Sequence, residues 1–425
     1  LKWLEIKILR CAQNDTQFKH VFTKPKLSMF SHSLPSPCLQ EEKMTRRFRL
    51  IFFSICLLFT IIFLPAVSNV RAAGAKTAPP EISAEAAVLL DWNSGRILYA
   101  RNPHLPKHMA STTKIMTAII ALERGNMREA VITSPRAANT GGSSIWLEEG
   151  EKKTLEELVY GLMLRSGNDA AVAIGEHISG SMESFAELMT RRARELGAKN
   201  TSFRNPHGLH DPEHYTTAYD LTVIAAHAMG LKEFRNIVST PSKTISWPGH
   251  PWSRHLYNQN KLFELYEGAE GIKTGWTTPA GRCFVGSAVR NGRRLISVVL
   301  NAPQMWEDTV ALLDYGYNSF ANTNVVKDGQ FLKSVAVANG MQEKIKAIAG
   351  GNYYYPLQPL EENKISYRFV LNEPLRAPLK KGENIGELEV YFEDELAGVV
   401  DLLTGAEVQR LSIWRRIIRF FGRGE

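Results

Sequence analysis

Three short stretches carry the side chains best suited to chemistry. The first is Ala110-Ser111-Thr112-Thr113-Lys114, which runs straight into the apolar segment Ile115 to Leu122. A serine in the first turn of a helix and a lysine three residues on share a face, about one turn apart. A hydroxyl is a poor nucleophile until a base takes its proton, and a neutral lysine can be that base. The partial positive charge of a helix N-terminus disfavours an ammonium there and pushes the Lys114 pKa down. Ser-x-x-Lys alone is a common accident in a chain of this length. Ser166-Gly167-Asn168 and Lys273-Thr274-Gly275 change that weighting, because Ser-x-x-Lys, Ser-x-Asn and Lys-Thr-Gly each occur once, in that order. An ordered triple is improbable by chance, so the three are read as one set.

The elements around these stretches must bring them together. The segment after Ser111 is apolar nearly all round and reads as a buried central helix ending at Gly125. Thr154-Leu155-Glu156-Glu157 is a capping box that opens a helix with Leu155, Leu158, Val159 and Leu162 on its core face. Ser166-Gly167-Asn168 falls where that helix stops and the next, Ala170 to Ile178, begins, so its side chains sit on an inter-helix loop at a cleft. Asn291-Gly292 between two β-rich runs, Cys283 to Val289 and Leu295 to Leu300, is a strong hairpin signal. Lys273-Thr274-Gly275 therefore lies at or beside a strand edge next to that hairpin. Ala86 to Leu90 and Ile97 to Tyr99 flank the turn Asn93-Ser94-Gly95, and Met305 to Tyr317 reads as a helix packing back on the sheet. Strands at both ends with helices between them predict an α+β fold, an antiparallel sheet covered by helices, over residues 76–328. From about Gly329 to 409 the texture changes to a small β-rich domain of short strands and turns, for example Ser334 to Val337, Ser366 to Leu371, Ile385 to Phe392 and Leu396 to Leu402. His207, His210 and His214 have a superficially metal-like spacing, but their Pro- and Gly-containing loop without a nearby cysteine argues against a metal site.

The formal charge of +8 belongs to the two ends of the 425-residue chain. Residues 1–75 carry a net +7 and residues 410–425 a net +4, which leaves −3 for the body and argues against a nucleic-acid partner. Met44-Thr45-Arg46-Arg47-Phe48-Arg49, the apolar run Leu50 to Val67 and the small residues Ala72, Ala73 and Ala75 have the pattern of a secretory signal over 44–75. A retained anchor is the alternative, since the run is about long enough to span. Residues 1–43 begin with Leu and resemble no domain, so Met44 is the expected start. Of the four cysteines only Cys283 lies in the body, so the mature chain has no intramolecular disulfide and rests on its core. Residues 410–425 place Leu411, Ile413, Trp414, Ile417, Ile418, Phe420 and Phe421 on one half of a helical wheel and Arg415, Arg416, Arg419 and Arg423 on the other. Such a helix is expected to lie in a membrane interface, at the outer face of the cytoplasmic membrane once the chain is exported.

From Glu81 to about Leu403 the chain resembles the low-molecular-mass penicillin-binding proteins, the serine-type D-alanyl-D-alanine carboxypeptidases. The resemblance takes in the three motifs, Asp91-Trp92-Asn93-Ser94-Gly95, the Gly142-Ser143-Ser144 loop and His214-Tyr215-Thr216-Thr217-Ala218-Tyr219-Asp220. Trp276 departs from it, standing where relatives often have His or Tyr. The resemblance implies a penicillin-binding, β-lactamase-like transpeptidase fold with a small C-terminal β domain and an amphipathic membrane tail. It also implies that the terminal D-Ala is removed from the peptidoglycan stem pentapeptide, and that β-lactams acylate the enzyme. Carried over by motif, Ser111 is the nucleophile, Lys114 its base and Ser166 the proton relay to the departing amine. Asn168 binds Lys114 and the substrate amide, Lys273 and Thr274 take the terminal carboxylate, and Gly275 lets the strand approach closely. The N–H groups of Ser111 and Trp276 form an oxyanion hole, and no metal or organic cofactor has a role. A class A-like β-lactamase, a transpeptidase or endopeptidase, and a tethered wall-binding protein without catalysis are the competing readings. The first lacks its Glu-x-x-Leu-Asn segment here.

Overall fold

The computed structural model describes residues 78–412, except Glu373, together with Trp414. The leader 1–43, the 44–75 segment and most of the 410–425 tail lie outside the described residues. Among the described residues no helix is long and apolar enough to cross a membrane.

The first strands, β1 (Ala86–Asp91) and β2 (Ile97–Arg101), enclose the Asn93-Ser94-Gly95 turn, whose Gly95 takes a φ of +75°. Two short ribbons follow, β3 (Ala130–Ile132) with β4 (Lys152–Thr154), and β5 (Ser242–Ile245) with β6 (Arg254–Tyr257). The main sheet is completed by β7 (Ala269–Thr277), β8 (Gly281–Arg290) and β9 (Arg293–Leu300). Its order is β2-β1-β9-β8-β7, antiparallel throughout, so β7 is an edge strand. At the β8–β9 turn Asn291 and Gly292 both have positive φ, 52° and 76°, as a two-residue hairpin requires.

Every residue of β1 is buried, and its side chains alternate between two cores. Ala86, Val88 and Leu90 join the larger core with the central helices, while Ala87 and Leu89 face a second core closed by the Met305–Ser319 helix. That period of two is the strand geometry that lets one sheet carry helices on both faces. The helix Lys114–Arg124 lies in the larger core with Lys114 through Ala121 all buried, so it has no solvent face along most of its length. The helix Leu155–Leu164 opens on the capping box of Thr154 and Glu157, and Asn168–Ser179 follows after a three-residue break.

The small β unit holds β10 (Ala321–Val326), β11 (Phe331–Ala336), β12 (Lys344–Ala349), β13 (Tyr353–Leu357), β14 (Ile365–Leu371), β15 (Asn384–Phe392) and β16 (Glu395–Thr404). Five of these form the antiparallel sheet β11-β12-β16-β15-β14, and β10 pairs with β13. Strand pairing thus reaches back to Ala321, before the texture change at Gly329, because β10 is too polar to announce itself. Arg96 joins the unit to the β1–β2 turn. Its guanidinium makes a two-pronged pair with Glu361, at 2.9 and 3.0 Å, and stacks 4.1 Å from the Phe392 ring.

Candidate active site

Ser111 sits in a tight turn, Ala110–Thr113, immediately before the Lys114–Arg124 helix. Ala110 takes the left-handed conformation with φ +48°, and the hydroxyls of Thr112 and Thr113 donate back to the carbonyls of Met109 (2.6 Å) and Ala110 (2.7 Å). These side-chain bonds satisfy carbonyls in the entry to the helix and hold the turn in place. Ser111 stays half-exposed while both threonines are buried.

Lys114 is fully buried, and its Nζ has three neighbours: Ser111 Oγ at 3.0 Å, Asn168 Oδ1 at 2.8 Å and the His207 carbonyl at 2.6 Å. Burial holds its pKa well below the usual lysine range, and the charge of Lys273 pushes in the same direction. Burial, rather than the helix terminus, is the main cause. A neutral amine has two hydrogens and one lone pair. The His207 carbonyl can only accept. Asn168 must also present its oxygen, because its Nδ2 donates to the Gly141 carbonyl at 2.7 Å. In the neutral form both hydrogens are thereby committed, and the lone pair faces the Ser111 hydroxyl.

Asn168 begins its helix, and its backbone N–H donates to the Ser143 carbonyl at 2.7 Å. Ser166 precedes it, buried, with φ +61°, where a helix ending normally favours glycine. A serine held there costs on the order of 1–2 kcal/mol, a strain of the sort found at functional positions. On the other side of Ser111, β7 presents Lys273, Thr274, Gly275 and Trp276. Lys273 is buried, which lowers its pKa to about 7, and its Nζ donates to the Thr274 carbonyl at 3.1 Å. A Cβ on Gly275 would stand 2.8 Å from the Ser111 nitrogen and 3.1 Å from the Met109 carbonyl, so only glycine lets the strand pass so close. Trp276 is 65% exposed and flanks the site instead of filling the core. Ser111, Lys114 and Asn168 are in direct contact, and Gly275 brings the Lys-Thr-Gly strand against the same turn.

Further residues, none of them among the expected site residues, build the site. The carbonyl that binds Lys114 comes from the loop Asn205-Pro206-His207-Gly208. Asn205 Oδ1 accepts from the Gly208 N–H at 2.7 Å, and Thr117 donates to the Pro206 carbonyl at 2.6 Å. Gly208, at φ +88°, abuts the Ala110 carbonyl and leaves no room for a Cβ. Burial lowers the His207 pKa to about 3 and that of His214 to about 4, so both are neutral. His214 Nδ1 accepts from the Arg204 N–H, which leaves the proton on Nε2 to be donated to Thr113 Oγ1 at 2.8 Å. These histidines serve as hydrogen-bonding groups, and among the described residues no cluster of His, Cys, Asp and Glu is arranged to hold a metal ion. Asp169, fully buried, accepts from Ser144 Oγ (2.6 Å) and from the Ile145 and Leu147 N–H groups (both 3.0 Å), so it pins the loop that carries Gly141 to the Asn168 helix. The Asn-Pro and His-Gly turn pairs, and an acid in the first turn of a helix, were the signals for these roles.

Comparison with known proteins identifies the family. Residues 73–304 match the family described as D-alanyl-D-alanine carboxypeptidase, and residues 320–410 match the penicillin-binding protein 5 C-terminal domain. The D-alanyl-D-alanine carboxypeptidase DacF of Bacillus subtilis is 34% identical over 346 residues, 77% of this chain and 88% of that protein. The crystal structure of penicillin-binding protein 5 from Haemophilus influenzae aligns with a TM-score of 0.63 at 30% identity, over 79% of this chain and all of the other. That of a penicillin-binding protein 3 from Streptococcus pneumoniae, described as a peptidoglycan synthesis regulatory factor, aligns at 0.68 and 26% identity, over 78% of this chain and 100% of the other. With a fold of the penicillin-binding kind, a serine in contact with a buried lysine of lowered pKa and a matching C-terminal domain, the chain belongs to the D-alanyl-D-alanine carboxypeptidase family of serine hydrolases.

Proposed function

We propose that Ser111 carries out the carboxypeptidase reaction on the peptidoglycan stem pentapeptide by the following division of labour. Lys114 takes the Ser111 proton as Oγ bonds to the carbonyl carbon of the penultimate D-Ala. The N–H groups of Ser111 and Trp276 receive the developing oxyanion. When the C–N bond breaks, the proton passes from Lys114 through Ser166 to the leaving D-Ala amine. Water then attacks the ester, Lys114 accepts its proton, and Oγ recovers one on release. Lys273 and Thr274 hold the terminal carboxylate as charge and hydroxyl donor. The free edge of β7 offers backbone groups to an extended peptide lying beside it. Asn168 orients Lys114, and its Nδ2 has one hydrogen beyond that used by Gly141 for the substrate amide.

The observation that carries this reading is the geometry of Lys114, whose Nζ stands 3.0 Å from Ser111 Oγ and also bonds two obligate acceptors, so that a neutral amine there would turn its lone pair to the serine. The test is a synthetic pentapeptide ending in D-Ala-D-Ala, followed by mass spectrometry for loss of one D-Ala. Wild-type protein is expected to release it and to carry a penicillin adduct on Ser111, and Ser111→Ala to do neither. An adduct mapped to Ser166 would overturn the assignment.

We further propose that the 44–75 segment exports the chain and that residues 410–425 hold it at the outer face of the cytoplasmic membrane without spanning it. The basic start, apolar run and small residues of the first support export, and the arginine-rich and apolar halves of the second support interfacial binding.

A further inference from the structure

Away from the motif residues, the turn between β5 and β6 carries a row of aromatic rings. Trp247 and His250 lie 4.4 Å apart by ring centre, and His250 and Trp252 lie 5.6 Å apart. Trp252 is 60% exposed, a degree of exposure that a ring recruited for packing does not show. The row is held rigid from below. Trp247 Nε1 and His250 Nε2 both bond the Glu148 carboxylate, at 3.0 and 2.7 Å. The buried Arg254 guanidinium lies 4.1 Å from the Trp247 ring, pairs with Glu151 and donates to the Trp146 carbonyl. Trp146 is also exposed, at 59%, and takes a φ of +59° that a bulky residue rarely adopts. Such strain persists where surrounding structure enforces it for a purpose.

This row is joined to the acyl-transfer site. Trp146 belongs to the loop whose Gly141 carbonyl accepts from Asn168 Nδ2 and whose Ser143 carbonyl accepts from the Asn168 N–H. Its neighbour Ile145 packs against Gly167, between Ser166 and Asn168. We propose that Trp146, Trp247, His250 and Trp252 form a carbohydrate platform beside the active site, stacking on the pyranose rings of the glycan strand that carries the stem peptide. The inference rests on the reading of the substrate as a peptidoglycan stem. A sugar presents a face of C–H groups that packs on an aromatic ring, ringed by hydroxyls that need polar company. Two exposed indoles, with the part-exposed Trp247 ring, the His250 imidazole and the Glu148 carboxylate beside them, supply both. A lipid surface fits less well, because the loop Ser246-Trp247-Pro248-Gly249-His250-Pro251-Trp252-Ser253 contributes no aliphatic side chain beyond proline. Trp247 and His250, tied together through Glu148, lose little freedom on binding, which favours even a weak ligand.

The test uses the full chain and a β-1,4-linked N-acetylglucosamine tetrasaccharide, a glycan without any D-Ala. Tryptophan fluorescence is expected to change saturably with the saccharide. Trp252→Ala should weaken binding about two- to tenfold, the size of one aromatic stack, and Trp252→Phe should restore most of it. With a disaccharide-linked pentapeptide as substrate, Trp252→Ala should raise KM towards that of the bare pentapeptide while kcat holds. No saccharide response, or an equal one in Trp252→Ala and Trp146→Ala, overturns the platform. D-Ala release with no saccharide binding overturns this inference alone, and saccharide binding without D-Ala release overturns the carboxypeptidase mechanism instead. Blue-shifted binding to anionic vesicles in place of the saccharide would assign the row to a membrane surface.

Discussion

Lys114 Nζ bonds two acceptors besides Ser111, while Lys273 is buried beside the Thr274 carbonyl with a pKa of about 7, and the difference has measurable consequences. Lys273 is an ammonium below that pH and an amine above it. Capture of a carboxylate needs the ammonium, so kcat/KM, which reports the free enzyme, should fall as pH rises through about 7. A bound carboxylate favours the charged form, so kcat should hold to higher pH. Pentapeptide hydrolysis measured across pH 5–10 checks this, roughly spanning the titration range of a lysine shifted by burial. Lys273→Arg should move the alkaline limb upward, and an unmoved limb would assign it to another group. The same burial acts on stability. Unfolded, the lysine keeps its proton up to its ordinary 10.5, so between that value and about 7 stability falls as pH is lowered. Lys273→Met should therefore raise Tm at neutral pH while pentapeptide hydrolysis is lost. Gly275→Ala is a second test at this scale. A methyl 2.8 Å from the Ser111 nitrogen must displace the donor or the strand. The penicillin acylation rate should drop on the order of 10²–10³, the loss seen when one oxyanion donor goes.

Helix ends and loops are where the elements meet the chemistry. Ser166 occupies a left-handed position at the break between the Leu155–Leu164 and Asn168–Ser179 helices. Ser166→Gly should leave stability unchanged or raise it by up to about 1–2 kcal/mol, while slowing D-Ala release. A parallel loss of Tm and rate would make the serine structural. Asp169→Ala removes the carboxylate shared by the Ile145 and Leu147 N–H groups, each costing about 1–3 kcal/mol if left buried and unpaired. Chemical denaturation should show the loss, and acylation should slow because Asn168 loses the loop that orients it. Much of this layer was legible from the sequence. The capping box at Thr154, the Asn291-Gly292 hairpin and the helix break at Ser166 are local patterns with one structural meaning each. What stayed hidden depends on distant residues. The His207 carbonyl reaches Lys114 only once the chain has folded, and a backbone oxygen has no sequence signature. Strand β13 is hard to read from sequence because Tyr353-Tyr354-Tyr355-Pro356-Leu357 contains a proline, which demotes a strand. It is tolerated because β13 pairs with β10 alone in its two-stranded sheet.

At the scale of the molecule, the proposed tail and the Arg96 joint make separable predictions. Removing residues 410–425 takes away no motif residue, so the truncated enzyme should keep near-normal peptidase activity and lose sedimentation with anionic liposomes. Each arginine near such a surface contributes on the order of 1 kcal/mol, so binding of the full chain should weaken with salt. Equal sedimentation of both forms would point to a retained Leu50–Val67 segment instead. Arg96 and Glu361 are only 12% and 11% exposed in their side chains, so deleting one partner strands the other. Arg96→Ala should cost about 3–5 kcal/mol at that contact and split calorimetric unfolding into two transitions. A single transition at the wild-type Tm would show that the two units are coupled elsewhere.

The order β2-β1-β9-β8-β7 also sets a schedule for folding. Strand β1 is paired along its length with β9, from Ala86 against Leu300 to Asp91 against Leu295. Some two hundred residues, all the central helices among them, separate those partners. Closing so large a loop is slow, and a strand apolar on both faces gains little until its partner arrives. A chain synthesised from its N-terminus therefore has no finished sheet until β9 has emerged, and stays threadable for most of its synthesis. The Ser111 turn leans on β7 of that sheet, so the catalytic geometry is among the last features to form.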